Sequence, residues 1–164
     1  MARKKRGQRS RNDGEALDEA LVSLDRSRGP LFLENRENPK RSETRHPDCC
    51  KRPANKMRIS ELEAIDIARA FQEKPHLNGR TDAVLERLGQ AIHFLRDNRR
   101  PQAFDCPLLE DGQCMVHKIA KPIECLAYDQ VEDRISHEGK RSIERRDHLN
   151  ESLFGEGWDC LGIP

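Results

Sequence analysis

Thiols are the side chains in this sequence most able to do chemistry, and they are grouped. Five of the six cysteines fall between residues 49 and 125. Cys49 and Cys50 close the run His46-Pro47-Asp48-Cys49-Cys50, Cys106 and Cys114 bracket Pro107-Leu108-Leu109-Glu110-Asp111-Gly112-Gln113, and Cys125 ends Lys121-Pro122-Ile123-Glu124-Cys125. Thiolate is a preferred ligand of zinc, Cu(I) and iron–sulfur clusters. Cys49, Cys50, Cys106, Cys114 and Cys125 are therefore the candidate metal ligands. The competing readings are disulfide or redox pairs, and inert thiols.

The spacing says how such a site could close. Glu110-Asp111-Gly112 is a turn sequence, with Gly112 free to take positive φ, so the chain can double back and bring Cys106 and Cys114 to one ion. Pro122 breaks the segment that follows and can return Cys125 to the same place. A tetrahedral zinc site needs four ligands, with Zn–S near ~2.3 Å. Cys49 or Cys50 supplies the fourth. Adjacent cysteines diverge in extended chain, so either one ligates and the other supports it, or the pair bridges a larger cluster. His46, His117 and Cys160 are weaker candidates. Lys51, Arg52, Lys118 and Lys121 are placed in sequence to offset a negative thiolate site. No Gly-rich phosphate loop, GxSxG, HExxH or paired-carboxylate pattern points to catalysis.

The elements that must position these thiols have little apolar material to work with. The 164-residue chain is 35% hydrophobic, 4% aromatic and 36% charged, with a formal net charge of +1. Such a composition argues against a large core and for help from a metal or a partner. It gives no overall field for nucleic acid. The opening Met1-Ala2-Arg3-Lys4-Lys5-Arg6-Gly7 leads into no apolar run of the secretory kind, and no stretch approaches membrane-spanning length. The expected compartment is the cytoplasm, where reducing conditions favour ligand or catalytic cysteines over bridges.

The pattern divides the chain into a charged N-terminal arm and linker, residues 1–45, and a metal-binding domain, residues 46–164. Residues 1–11 hold six basic residues and no acid, which predicts disorder in isolation and a contact with RNA, DNA or an acidic protein face, or simply a solvated tail. A short helix is expected from Glu15 to Leu24, with Leu17, Leu21 and Leu24 on one face, either docking onto a partner or packing on its own domain. Residues 34–48 read as an extended linker. Ser60-Glu61-Leu62-Glu63 is a capping box opening a helix with Leu62, Ile65, Ala68 and Phe71 along a stripe. Thr81 or Asp82 begins another helix, with Val84, Leu85, Leu88, Ile92 and Leu95 inward, and a weaker one spans Lys140 to Leu153. No segment alternates convincingly as a strand. The expected fold is mainly α: a small helical domain with irregular cysteine-rich loops and an extended, partly disordered N-terminal segment.

Together these motifs carry a resemblance. Cys-Cys ahead of a helix bearing Ser-x-x-Glu, then Cys-Pro-Leu-Leu…Gly-Gln-Cys-Met-Val-His…Lys-Pro-Ile-Glu-Cys-Leu-Ala-Tyr, resembles the YkgJ-like cysteine-cluster family (CxxxCxxCC), described as chelating zinc or iron. The resemblance covers roughly residues 42–128. It implies that Cys49, Cys50, Cys106, Cys114 and Cys125 match the family cysteines. Ser42 and His46 stand where the first two family cysteines would be, Lys121 replaces an arginine, Leu126 another arginine, and His117 a tyrosine. Fewer thiolates favour a single zinc over a polynuclear iron–sulfur cluster.

The expected function is a small, non-enzymatic metal-binding protein, with structural zinc, acting as an accessory or adaptor subunit of a larger assembly through its N-terminal segment. The alternatives are an iron–sulfur, redox or modification enzyme of the cysteine-cluster family, and a nucleic-acid adaptor working through residues 1–11.

Overall fold

Ser60 begins the best-defined helix as its sequence demands. Its hydroxyl accepts the Glu63 amide at 3.3 Å while the Glu63 carboxylate accepts the Ser60 amide at 2.9 Å. This reciprocal pairing satisfies two amides that a helix start leaves without partners. The Asn150 side chain serves a third, accepting from the Leu62 amide at 3.0 Å. The computed structural model describes residues 3–37, 50, 58–96, 105–129 and 134–155. Within them lie α1 (Arg3–Glu37), α2 (Glu61–Glu73), α3 (Pro75–Asn78), α4 (Thr81–Arg96), β1 (Leu109–Glu110), β2 (Gln113–Cys114), α5 (Ile123–Ala127), β3 (Tyr128–Asp129), β4 (Arg134–Ile135) and α6 (His137–Phe154). The architecture is mainly α, as expected. No helix among the described residues is long and apolar enough to cross a membrane.

Two small hydrophobic cores share α2. The first joins α1, α2, α5 and α6: Ala20, Leu24, Leu31, Leu62, Ile123, Leu126 and Ala127 are buried together, with Ile143, Leu149 and Leu153 packed around them. The second joins the far end of α2 to α3, α4 and the hairpin loop: Ala70, Phe71, Leu77, Val84, Leu108, Val116 and Ala120. Cys106 and Cys114 pack against this second core, whereas Cys125 sits on α5 between Glu124 and Leu126 of the first. The cysteine segments thus meet where the two cores adjoin.

Helix α1 departs from the expected short helix at Glu15–Leu24. It runs from Arg3 to Glu37 and passes through Pro30, although proline removes one intrahelical hydrogen bond and costs about 3 kcal/mol in a helix interior. The offset comes from packing on both sides of the proline: Leu24, Ser27, Arg28 and Leu31 are buried along one stripe. Arg28 reaches Asp66 of α2 at 2.6 Å, and Arg69 reaches Asp18 at 2.7 Å. Of the expected 34–48 linker, residues 34–37 are the last turn of α1 and the remainder lies outside the described residues. The basic block from Arg3, expected to be disordered alone, is the first part of this helix.

Other expectations are corrected by packing. On α4, Val84 and Ala91 are buried, but Leu85, Leu88 and Ile92 are 58%, 38% and 38% exposed, so the apolar stripe touches the body along one edge. Arg87 holds that edge, donating to the Leu109 carbonyl at 2.8 Å. The Leu95 side chain lies outside the described residues. On α2, Ala68 is exposed and Ala70 takes the buried place. Strands do occur, as two-residue pairs. In the first, Leu109 faces Cys114 and Glu110 faces Gln113, turned by Asp111 and Gly112 at φ 49° and 74°. Positive φ at both central positions is the hairpin turn that Asp-Gly favours.

Helix α6 crosses α5 at Gly139. A Cβ built there would stand 2.4 Å from the Ala127 Cβ. Gly139→Ala gains about 1 kcal/mol of helix propensity but must separate the helices, at roughly 1–3 kcal/mol. The melting temperature should fall. Gly89→Ala on α4, where a Cβ meets nothing within 4 Å, should instead raise it. Thermal melts of the two variants check the contrast.

Candidate metal centre

Backbone bonds tie the Cys50 segment to the Cys106–Cys114 segment. The Cys106 amide donates to the Cys50 carbonyl at 2.8 Å, and the Leu109 amide donates to the Cys106 carbonyl at 2.8 Å. Leu109 is the β1 partner of Cys114, so Cys106 is tied to Cys50 on one side and to the hairpin on the other. The His117 amide donates to the Cys114 carbonyl at 3.1 Å, closing the turn after β2. Cys125 comes from α5.

Cys50, Cys106, Cys114 and Cys125 are half-buried and form no disulfide. A hydrogen bond with the Cys50 side chain holds the Cys106 thiol below its ordinary range. The Leu108 backbone contributes in the same direction, while burial and the charges of Cys125 and Cys114 oppose. The other three thiols therefore all reach Cys106, Cys50 through a hydrogen bond and Cys125 and Cys114 through charge. Removing the largest cause should reverse the shift. In Cys50→Ala the pH midpoint for alkylation of Cys106 should rise, measured by iodoacetamide labelling of metal-free protein across pH.

Among the described residues, no group of three or more His, Cys, Asp or Glu side chains stands in an arrangement that could hold a metal ion. Cys49, His46 and Cys160 lie outside the described residues. His117 is half-buried and described, but its side chain is not drawn into such a group.

A buried ion network went unread in the sequence. Arg146 of α6 is 2% exposed and pairs with Glu63, itself 0% exposed, at 3.2 Å, and with Glu124 at 3.1 Å. Glu63 also accepts the Ile123 amide at 2.7 Å, and Glu124 accepts the Arg58 amide at 2.7 Å. Burial alone would lower the Arg146 pKa, but Glu63, Asp147 and Glu124 outweigh it and raise it. The network fixes the first turn of α5, and with it Cys125. Only the Ser60–Glu63 spacing signalled any part of this. Glu124 and Arg146 belong to no local motif.

No family model, no characterised protein and no solved structure matches the chain.

Proposed function

We propose that this chain is a small, non-enzymatic metal-binding protein. Cys106, Cys114 and Cys125, with Cys50 or Cys49, take up one thiophilic ion, zinc in the first place, and the metal-clamped unit serves as an accessory subunit of a larger assembly in the cytoplasm. The observation that carries this reading is the convergence of thiol-bearing segments on Cys106: its amide bonds the Cys50 carbonyl at 2.8 Å, its carbonyl holds Leu109, the strand partner of Cys114, and the Cys125 and Cys114 charges both reach its thiol. The donor set suits zinc by ligand type and number. No three of these side chains stand in a metal-holding arrangement among the described residues, so uptake requires the thiol protons to leave and the loops to tighten. Such coupling makes metal-binding free energy into folding free energy. The same motifs support kinship with the cysteine-cluster family described as chelating zinc or iron.

Elemental analysis of protein purified without added metal tests the reading, with one zinc per chain expected. Iron with absorption near ~400 nm would favour the iron–sulfur alternative. Absence of any bound metal, together with no uptake from a zinc titration, would reject both.

A second reading, nucleic-acid binding, rests on α1. Its first eleven positions in the chain carry six basic residues, and its first buried residue among those whose side chains are described is Ala20. The log of affinity for RNA or DNA should then fall linearly with log salt, and binding should vanish on deleting residues 1–11. Binding indifferent to either change would reject it.

A further inference from the structure

Helix α4 carries more apolar surface than its own domain covers. Val84 and Ala91 are buried and Arg87 bonds the Leu109 carbonyl, so one edge is held to the body. Leu85, Leu88 and Ile92 lie exposed on the adjoining face. Scattered exposed apolar residues are ordinary, but these follow one another by three and then four residues, and Leu95 extends the run by three more in sequence. That is the a and d spacing of a heptad, the seam that a second helix fills.

The residues beside the seam say which helix. Asp82, Gly89 and Arg96 recur every seven residues, which places all three at the e position, where charge sets partner and orientation. Asp82 and Gly89 are exposed, and a Cβ built at Gly89 meets nothing within 4 Å, so another backbone can come close there. We propose that α4 is the interface of a homodimer, in which two copies of this chain pair antiparallel and cross at Gly89. In that register Asp82 of each copy stands against Arg96 of the other, and Leu88 of each stands against Ile92 of the other. A parallel pair would instead need Val84 and Ala91, the g positions, at its flank, and both are already buried in their own domain. The same patch serves both copies, as two-fold symmetry requires. The proposal is independent of the metal reading.

Sedimentation velocity of the full chain tests it, with reductant present so that cysteine-linked pairs do not count. Two heptads make a small interface, so the protein should pass from monomer toward dimer only between about 5 µM and about 500 µM. Leu85→Glu, at a position 58% exposed, should leave the circular dichroism of dilute protein unchanged and abolish the shift. Ile92→Lys, at 38% exposure, repeats the measurement should Leu85→Glu disturb the fold. Asp82→Arg alone, or Arg96→Asp alone, sets like charges together twice per dimer and should weaken association roughly tenfold. Both changes in one chain should restore it, because each new arginine then meets an aspartate of the other copy. A monomer at every concentration overturns the proposal and leaves the seam to a different protein. A dimer that survives both Leu85→Glu and Ile92→Lys lies elsewhere and overturns it too. A double reversal that fails to restore association overturns the antiparallel pairing.

Discussion

Arg146→Ala lowers the melting temperature by roughly 10 °C, taking the cost as about 3–5 kcal/mol for breaking a buried ion pair and 2–4 °C per kcal/mol for a chain of this size. The substitution leaves three carboxylates behind, of which Asp147 is 42% exposed and two are buried. Glu63 is fully buried and the Glu124 side chain is 8% exposed, so neither can recover its lost partner from bulk water. Glu63 keeps the Ser60 and Ile123 amides, which moderates the loss without cancelling it. Two comparisons separate this cause from lost packing. Arg146→Met combined with Glu63→Gln removes charge from both sides and should be less damaging than Arg146→Ala alone. Arg58→Ala removes a partner of Glu124 whose own side chain is 59% exposed, and should cost no more than about 1 kcal/mol. An Arg146→Ala variant melting within a degree or two of the parent would show that the network is not what holds α5 to α2 and α6. Because Cys125 follows Glu124 directly, the proposed metal-binding reading also expects the same variant to take up zinc more weakly.

What could be read beforehand depended on whether the information was local. The capping box at Ser60 is complete within four residues, and α2 begins where the spacing places it. The Asp111-Gly112 turn is equally local, because the backbone conformation it needs suits those two residues. Helix α6 was the weaker prediction for a physical reason. Its buried face includes Gly139, Ser142 and Arg146, which interrupt the apolar period while forming the close approach and the ion network. Periodicity on α4 identified an apolar stripe correctly but could not say what covers it, and Leu85, Leu88 and Ile92 lie outward. The length of α1 was hidden by Pro30 and by a charged face. Its continuation depends on Leu31 meeting a core supplied by α2 and α5, partners that no local window contains. The cysteines were legible as a set because thiols are rare and grouped, but the closer pairing of Cys50 with Cys106 required the backbone bond between segments more than 50 residues apart.

On the proposed zinc-binding reading, removing the metal should loosen the second core more than the first. The first core is tied by three helices and α5 together with the Arg146 network. The second matches it in buried apolar residues, seven with two alanines in each, but has no such network, and its hairpin is a pair of two-residue strands. At about 25 cal/mol per Å² of apolar area, so small a cluster stabilises little against the entropy of ordering its loops. A structural zinc can supply on the order of 10 kcal/mol of apparent binding free energy near neutral pH, enough to decide whether residues 105–120 are ordered. Chelation, or Cys114→Ser, should therefore speed amide exchange at Leu109, Met115 and Ala120, whose amides bond to Cys106, Leu108 and Val116. Amides in the middle of α6 should change far less. Lower pH should act in the same direction, because each ligand thiol must lose its proton to bind and acid restores it. Exchange measured with and without metal separates the two cores residue by residue. Equal acceleration in both would mean that they unfold as one unit, and no change in either would mean that the hairpin stands without the clamp.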